Sequence, residues 1–222
     1  MLPKFSFLLK PTLWIFALLV ITTALPARAQ DEPYIFEKTE DETGYIMRPR
    51  PDMTYEQGVL DVPAVRESDG LPIVGVDGFS YQKGLLGIQF YPGSQVKYIG
   101  SFQGCTGIEF IYNMPATVET IADYAFQGCT RLRDLTLNKG LKYIGISCFE
   151  GCESLESIKL PNTLKVLREN AFRVCTGLQT VEFEDGVDFY DGYSYGFYNN
   201  VFDGCESLHT VKLPKNTPGN FI

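Results

Sequence analysis

Histidine is nearly absent: His209 is the only one in 222 residues. One imidazole excludes a His-rich metal site and leaves no general base for a triad placed elsewhere. His209 follows Leu208 and precedes Thr210, which puts it on a surface or an edge. A phosphate-binding glycine loop and a nucleophile elbow are also missing. Long apolar runs are scarce too. Only Thr12 to Leu25 is mostly apolar, about 14 residues against the roughly 20 that a spanning helix needs. It follows Lys4 and Lys10 and leads into Ala27-Arg28-Ala29, a small-x-small cleavage site. Residues 1–29 therefore read as a secretory signal peptide with Gln30 as the mature N-terminus, a retained anchor being the rival reading. No Cys follows the cleavage site, so nothing signals the bacterial lipid-anchor route. Positive charge is short as well. Without Lys4, Lys10 and Arg28 the chain keeps 16 basic residues against 27 acidic ones, a net charge of −11. Such a surface repels nucleic acid and anionic lipid, so neither is expected as a partner.

What the chain has in abundance is one returning phrase. Phe79, Phe102, Phe126, Phe149, Phe172 and Phe202 open six copies, at steps of 23, 24, 23, 23 and 30 residues. A fixed period in this range marks a solenoid. In residues 149–171, Phe149, Cys152 and Leu155 recur at intervals of three, and with Gly151 between them they suggest an irregular turn. Ile158 and Leu160 flank Lys159 with the period of a strand. Pro161 stops the ladder, because it has no N–H to donate. Asn162-Thr163 turn the chain, and Leu164 and Leu167 form a second short apolar edge. The other copies place strand cores at Leu85-Ile88-Phe90, Ile108-Ile111, Leu132-Leu135-Leu137, Leu178-Val181-Phe183 and Leu208-Val211-Leu213. The return edges are Val96-Ile99, Val118-Ile121, Leu141-Ile144 and Leu164-Leu167. One such turn cannot bury its apolar face alone, but stacked turns share a core. The expectation is a leucine-rich-repeat solenoid over 59–222: turns of about 23 residues, a parallel β-sheet on one face and irregular turns on the other. The phenylalanines are expected to stack from rung to rung.

Six cysteines in an exported chain ordinarily suggest disulfides. Here Cys105, Cys129, Cys152, Cys175 and Cys205 each follow the repeat phenylalanine by three residues, while Cys148 fills the slot of Ala125 and Ala171. The spacing predicts a ladder of buried free thiols at a tight corner. Adjacent rungs also fall within disulfide range, so a bond between neighbours stays open. A line of equally spaced sulfurs does not suit tetrahedral zinc, and no metal or other cofactor is expected.

Outside the regular copies, residues 30–58 are polar and interrupted by Pro49 and Pro51-Asp52. Tyr34-Ile35-Phe36 and Tyr45-Ile46-Met47 can form strands there. The segment reads as an N-terminal cap over the first turn, or as a linker. The long step to Phe202 holds an insertion at 189–200, in which six of twelve residues are aromatic. Solenoid insertions become loops on one face and often bind, although the rings could equally cover an enlarged turn. Glu182, Glu184, Asp185 and Asp188 cluster just before it. A solvated turn is the expectation there, with calcium binding or paired carboxylates as the alternative. After Leu213-Pro214 the last return edge is unfinished. Either Phe221-Ile222 tuck under the last rung, or the open end meets a partner, or the array is cut short.

The pattern resembles the BspA-like, or treponemal-type, leucine-rich repeats, whose unit is close to AF-x-GC-x-x-L-x-x-I-x-L-P. Ala125-Phe126-Gln127-Gly128-Cys129 with Leu132, Leu135 and Leu137 carries the resemblance. So does Cys148-Phe149-Glu150-Gly151-Cys152 with Leu155, Ile158, Leu160 and Pro161, and so does Val201-Phe202-Asp203-Gly204-Cys205 with Leu208, Val211, Leu213 and Pro214. It covers about residues 73–214. Tyr81-Gln82 replace the Gly-Cys pair in the first copy, and Val174 replaces the glycine beside Cys175. The resemblance implies a secreted or surface protein, of the kind found in Bacteroides, Treponema and some protists, several of them adhesins. It supplies no catalytic residues.

The expected function is therefore a secreted, cell-surface or periplasmic binding module, not an enzyme, that takes a protein or glycan ligand on a host or neighbouring cell. The candidate ligand-binding residues are Phe110 and Tyr112 on the sheet face and Tyr190, Tyr193, Tyr195, Phe197 and Tyr198 in the insertion. The extra residue in the second clear copy leaves the facing of Phe110 and Tyr112 open. The alternatives are a structural unit that self-associates through its open end, and a glycan hydrolase built on the acidic residues near 182–191.

Overall fold

The structure, a computed structural model, describes residues 34–52, 54, 58–187 and 200–215. Among these the regular elements are all strands: β1 (Tyr34–Lys38), β2 (Tyr45–Pro49), β3 (Gly58–Val62), β4 (Ile73–Val76), β5 (Leu85–Phe90), β6 (Tyr98–Ile99), β7 (Phe110–Tyr112), β8 (Thr120–Ile121), β9 (Asp134–Leu135), β10 (Tyr143–Ile144), β11 (Ser157–Leu160), β12 (Val166–Leu167), β13 (Thr180–Phe183) and β14 (Thr210–Lys212). They form three sheets. The strand cores read from the sequence, joined by β3 ahead of the first regular copy, make two of them, β3-β5-β7-β9 and β11-β13-β14, each parallel throughout. No pairing joins β9 to β11.

The third sheet departs from the expectation of irregular turns away from the strand cores. The return edges β6, β8, β10 and β12 are strands of two residues each, and with the four-residue β4 they pair in parallel as β4-β6-β8-β10-β12. Each rung thus crosses two parallel ladders. At the other end β2 joins β4 in parallel and β1 joins β2 antiparallel, so Tyr34–Lys38 is the terminal strand of the seven.

Inward residues of all three sheets meet in one core. Leu60, Ile88, Ile111, Ile158 and Val181 enter from one side of the rung and Val76, Ile99, Ile121, Ile144 and Leu167 from the other. Between them runs the phenylalanine column. Phe79, Phe102, Phe126, Phe149, Phe172 and Phe202 stack successively, with centroids 5.1–5.7 Å apart. All but Phe202 are completely buried. Near-parallel rings at this spacing repeat the strand separation of about 4.8 Å with a small offset, a favourable geometry for aromatic pairs.

The recurring spacing of the cysteines has a hydrogen-bonding cause. Cys105, Cys129, Cys152, Cys175 and Cys205 each donate through Sγ to the carbonyl of the phenylalanine one repeat earlier, at 2.9, 3.3, 3.4, 3.1 and 3.1 Å. The thiol is small enough for the corner and gives a second donor to a carbonyl that, at Phe102, Phe126, Phe149 and Phe172, already accepts the amide of the cysteine three residues on. All six cysteines are free; only Cys205 is partly exposed. Burial pushes the Cys105 thiol up to about 11 and raises Cys148 and Cys152 well above the ordinary value.

Two further ladders tie rung to rung. Thr117 and Thr163 donate through Oγ1 to the carbonyls of Val96 and Leu141, both at 2.8 Å. Gly140 has no such hydroxyl, and there Asn138 Nδ2 reaches the Val118 carbonyl instead at 2.9 Å. On the second ladder Gln127 Nε2 donates to Glu150 at 2.9 Å, and Arg173 bridges Glu150 and Asp203 at 2.8 and 3.3 Å.

Candidate functional site

The outward positions of β3, β5 and β7 form two parallel rows. One runs Val59, Gly87, Phe110; the other runs Asp61, Gln89, Tyr112. Leu60, Ile88 and Ile111 alternate with them and point into the core. This settles the facing of the sheet-face candidates. Ile111 lies as far after Phe102 as Ile88 lies after Phe79, so the extra residue of that repeat falls beyond the strand and leaves its register unchanged. Phe110 and Tyr112 both face outward.

Their placement depends on Gly87. A Cβ there would overlap Cε2, Cζ and Cδ2 of Phe110, so the ring lies against the bare backbone of the neighbouring strand. Tyr112 then stacks on Phe110, with centroids 4.4 Å apart and planes 19° from parallel, and keeps 45% of its surface exposed. Tyr91, one residue beyond β5, is exposed to a similar extent. Asp61 shows no side-chain hydrogen bond or ion pair with any of the described residues. Although it reaches solvent, the surrounding protein strips enough water from its carboxyl to raise its pKa. Burial, and then the Asp61 charge, raise the Tyr91 phenol. The result is an apolar, ring-covered row beside a row that offers a carboxylate, an amide and a phenol.

Across the break between β9 and β11 the face changes character. Lys159, Glu182 and Lys212 occupy one column of β11, β13 and β14. Their ammonium groups lie 3.3 and 3.2 Å from the Glu182 carboxylate. Hydrogen bonds from both lysines hold the Glu182 carboxyl below its usual range. Glu184 approaches Lys159 at 3.4 Å and Asp185 pairs with Lys215 at 3.1 Å. The acidic cluster is thus internally neutralised at these three carboxylates; Asp188 lies outside the described residues. Among the described residues no group of three or more His, Cys, Asp or Glu could hold a metal.

The short-strand sheet presents another outward column, Gly75, Tyr98, Thr120, Tyr143 and Val166. Its polar neighbours serve the backbone. Asp77 accepts from the Ser101 amide at 2.7 Å and from Arg48 Nη1 at 2.7 Å. Asp123 accepts from the Ile146 amide at 2.8 Å and from the Tyr143 hydroxyl at 3.2 Å. Sequence reasoning missed these acceptors; the signal was a carboxylate one rung before a glycine, since a side chain at Gly100 or Gly145 would collide with Asp77 or Asp123. Of the expected site residues, the structure brings Phe110 and Tyr112 together. Tyr190, Tyr193, Tyr195, Phe197 and Tyr198 lie outside the described residues, as do the signal segment and Phe221-Ile222.

Comparison with known proteins follows the same repeats. The profile of the BspA type leucine rich repeat region matches residues 96–217 in six copies. Among solved structures, the T. pallidum leucine-rich-repeat protein superposes with a TM-score of 0.67 at 26% identity, over 87% of this chain and 84% of that one. A leucine-rich-repeat protein from Bacteroides ovatus gives 0.53 at 20% identity, over 82% of this chain and 52% of the other. A leucine-rich cell surface protein from Faecalibacterium prausnitzii gives 0.59 at 20% identity, over 82% and 53%. The chain spans about half the length of these last two, and they share its fold. No curated protein sequence matches the chain.

Proposed function

Because the chain belongs to the BspA-type leucine-rich-repeat family, a family of scaffold and binding modules and not of enzymes, we propose that it is an exported or cell-surface binding module that recognises a macromolecular ligand in the manner of an adhesin. The observation that carries this reading is the stacked, outward-facing Phe110–Tyr112 pair laid over Gly87. An aromatic pair held open on a rigid sheet supplies contact area at low entropic cost. Strands fix its geometry more tightly than a loop would. The acidic balance favours a neutral or basic ligand over nucleic acid. Export rests on the leader at 1–29; no helix of the described residues is long and apolar enough to cross a membrane. The hairpin of β1 and β2 serves as the cap of the first rung, and the aromatic insertion at 189–200 is a second candidate contact surface.

The test is binding to immobilised glycans and extracellular-matrix proteins by the full chain and by a Phe110→Ser/Tyr112→Ser variant. Loss of the signal in the variant, with the circular dichroism spectrum kept, supports the sheet face. Unchanged binding refutes it. A variant of Tyr193, Tyr195 and Phe197 to Ser reads the insertion in the same assay.

A second reading has its own observation. β14 is the terminal strand of its sheet among the described residues, and Val211 and Leu213 are exposed to 48% and 41% where their counterparts in the preceding rung, Val181 and Phe183, are buried. Assembly through this end predicts a concentration-dependent oligomer in light scattering that Val211→Lys abolishes.

A further inference from the structure

We infer that the outer face of β3, β5 and β7 is a saccharide site that takes a neutral pyranoside glycan. The inference rests on the sheet-face reading above and deepens it by assigning the ligand class. A pyranose ring has two unlike sides: a face of C–H groups and a rim of hydroxyls. The two outward rows match that division. Val59 and Phe110, with nothing but backbone at Gly87 between them, offer an apolar strip. Asp61, Gln89 and Tyr112 offer hydrogen-bonding groups on three consecutive strands, which lie about 4.8 Å apart. A carboxylate only accepts, an amide both donates and accepts, and a phenol does either, so the row can meet hydroxyls presented in either sense. Tyr112 belongs to both rows, since its ring stacks on Phe110 while the residue stays exposed and carries a hydroxyl.

Charge selects among glycans. Asp61 has no cationic partner among the described residues, and no Lys or Arg occupies either row. Sulfated chains or uronic acids would bring their charge against an uncompensated carboxylate. The lysines of the same face lie beyond the break, on β11 and β14, where Glu182 and Glu184 already hold Lys159 and Glu182 holds Lys212. A basic protein segment also answers an unpaired carboxylate. It would use the charge of Asp61 alone and leave the Gln89–Tyr112 row idle, so the paired rows favour the sugar.

The experiment is titration calorimetry of the full chain with cellohexaose, laminarihexaose and mannohexaose as neutral probes, heparin as the anionic one and oligolysine as the basic one, at low and high NaCl. The variants are Tyr112→Ala, Gln89→Ala and Asp61→Ala, with Tyr98→Ala on the other sheet as control, each checked by its melting curve. The expected result is binding of at least one neutral hexasaccharide, insensitive to salt, weakened at least tenfold by Tyr112→Ala and severalfold by each of the other two, and unchanged by Tyr98→Ala. No heat with any neutral probe overturns the saccharide assignment. If oligolysine or a matrix protein binds instead, with an affinity that falls with salt and with Tyr112→Ala, the saccharide is wrong and the sheet-face reading stands. If a neutral probe binds equally well to all three variants, both are wrong.

Discussion

Left-handed backbone is demanded two residues after the repeat phenylalanine, at the corner of the rung. Gly104, Gly128, Gly151 and Gly204 meet it with φ of 69–72°, and at the same position Tyr81 and Val174 adopt φ of 62° and 57°. For a β-branched residue this conformation is an outlier that costs roughly 1–2 kcal/mol. Glycine would remove that strain but lose about 0.5–1 kcal/mol of chain entropy on folding. Val174→Gly is therefore expected to stabilise the protein by a net of about 0.5–1 kcal/mol, and Gly151→Val to destabilise it by more than that; urea midpoints read both. The thiols make a second prediction. The folded-state pKa of Cys105 lies above its unfolded value of 9.0, at about 11, because burial penalises the thiolate. The stability it contributes is thus fully present at neutral pH and is lost as pH rises from 9 towards 11, when the unfolded thiol ionises and the folded one does not. Contact with Cys205 and then burial push Cys175 up, while the same contact lowers Cys205. At pH 8 the native protein should accordingly give up one fast-reacting thiol of six to a disulfide reagent, Cys205, and the other five only on unfolding. Several fast thiols would contradict the buried ladder.

Strands and columns are where the fold's stability is concentrated. Phe149 is enclosed between Phe126 and Phe172 with no exposed surface, so Phe149→Ala should cost about 3–5 kcal/mol, whereas Glu153→Ala, at an exposed turn, should stay within about 0.5 kcal/mol. Gly87→Ala acts on the site. Its Cβ would collide with the Phe110 ring, so the aromatic pair must leave its seat. The expected outcome is a changed near-ultraviolet circular dichroism spectrum and lost ligand binding with the far-ultraviolet spectrum kept. At this scale the sequence was legible wherever a period existed. The phenylalanine column and the strand cores repeat an apolar pattern at fixed spacing, and the structure places them as read. The second parallel ladder was not legible as strand, because two-residue strands such as Tyr98–Ile99 are too short to show alternation. The outward facing of Phe110 was left open by the extra residue of its repeat, which the equal spacing of Ile88 after Phe79 and Ile111 after Phe102 places beyond the strand.

Across the described repeats one core is dressed with unlike surfaces: an aromatic and hydrogen-bonding face on β3, β5 and β7, an ion-paired face on β11, β13 and β14, and a tyrosine-bearing ladder on the short strands. Because each rung touches only its neighbours, substitutions on one face should leave the others' geometry intact. That separation lets function be mapped without unfolding the protein. The most direct measurement is a hydrogen-exchange footprint of the full chain with its bound ligand. The account predicts added protection at residues 58–62, 85–91 and 110–112, with β6, β8, β10 and β12 unchanged. Protection confined to the short-strand sheet, or to residues 200–215, would contradict it.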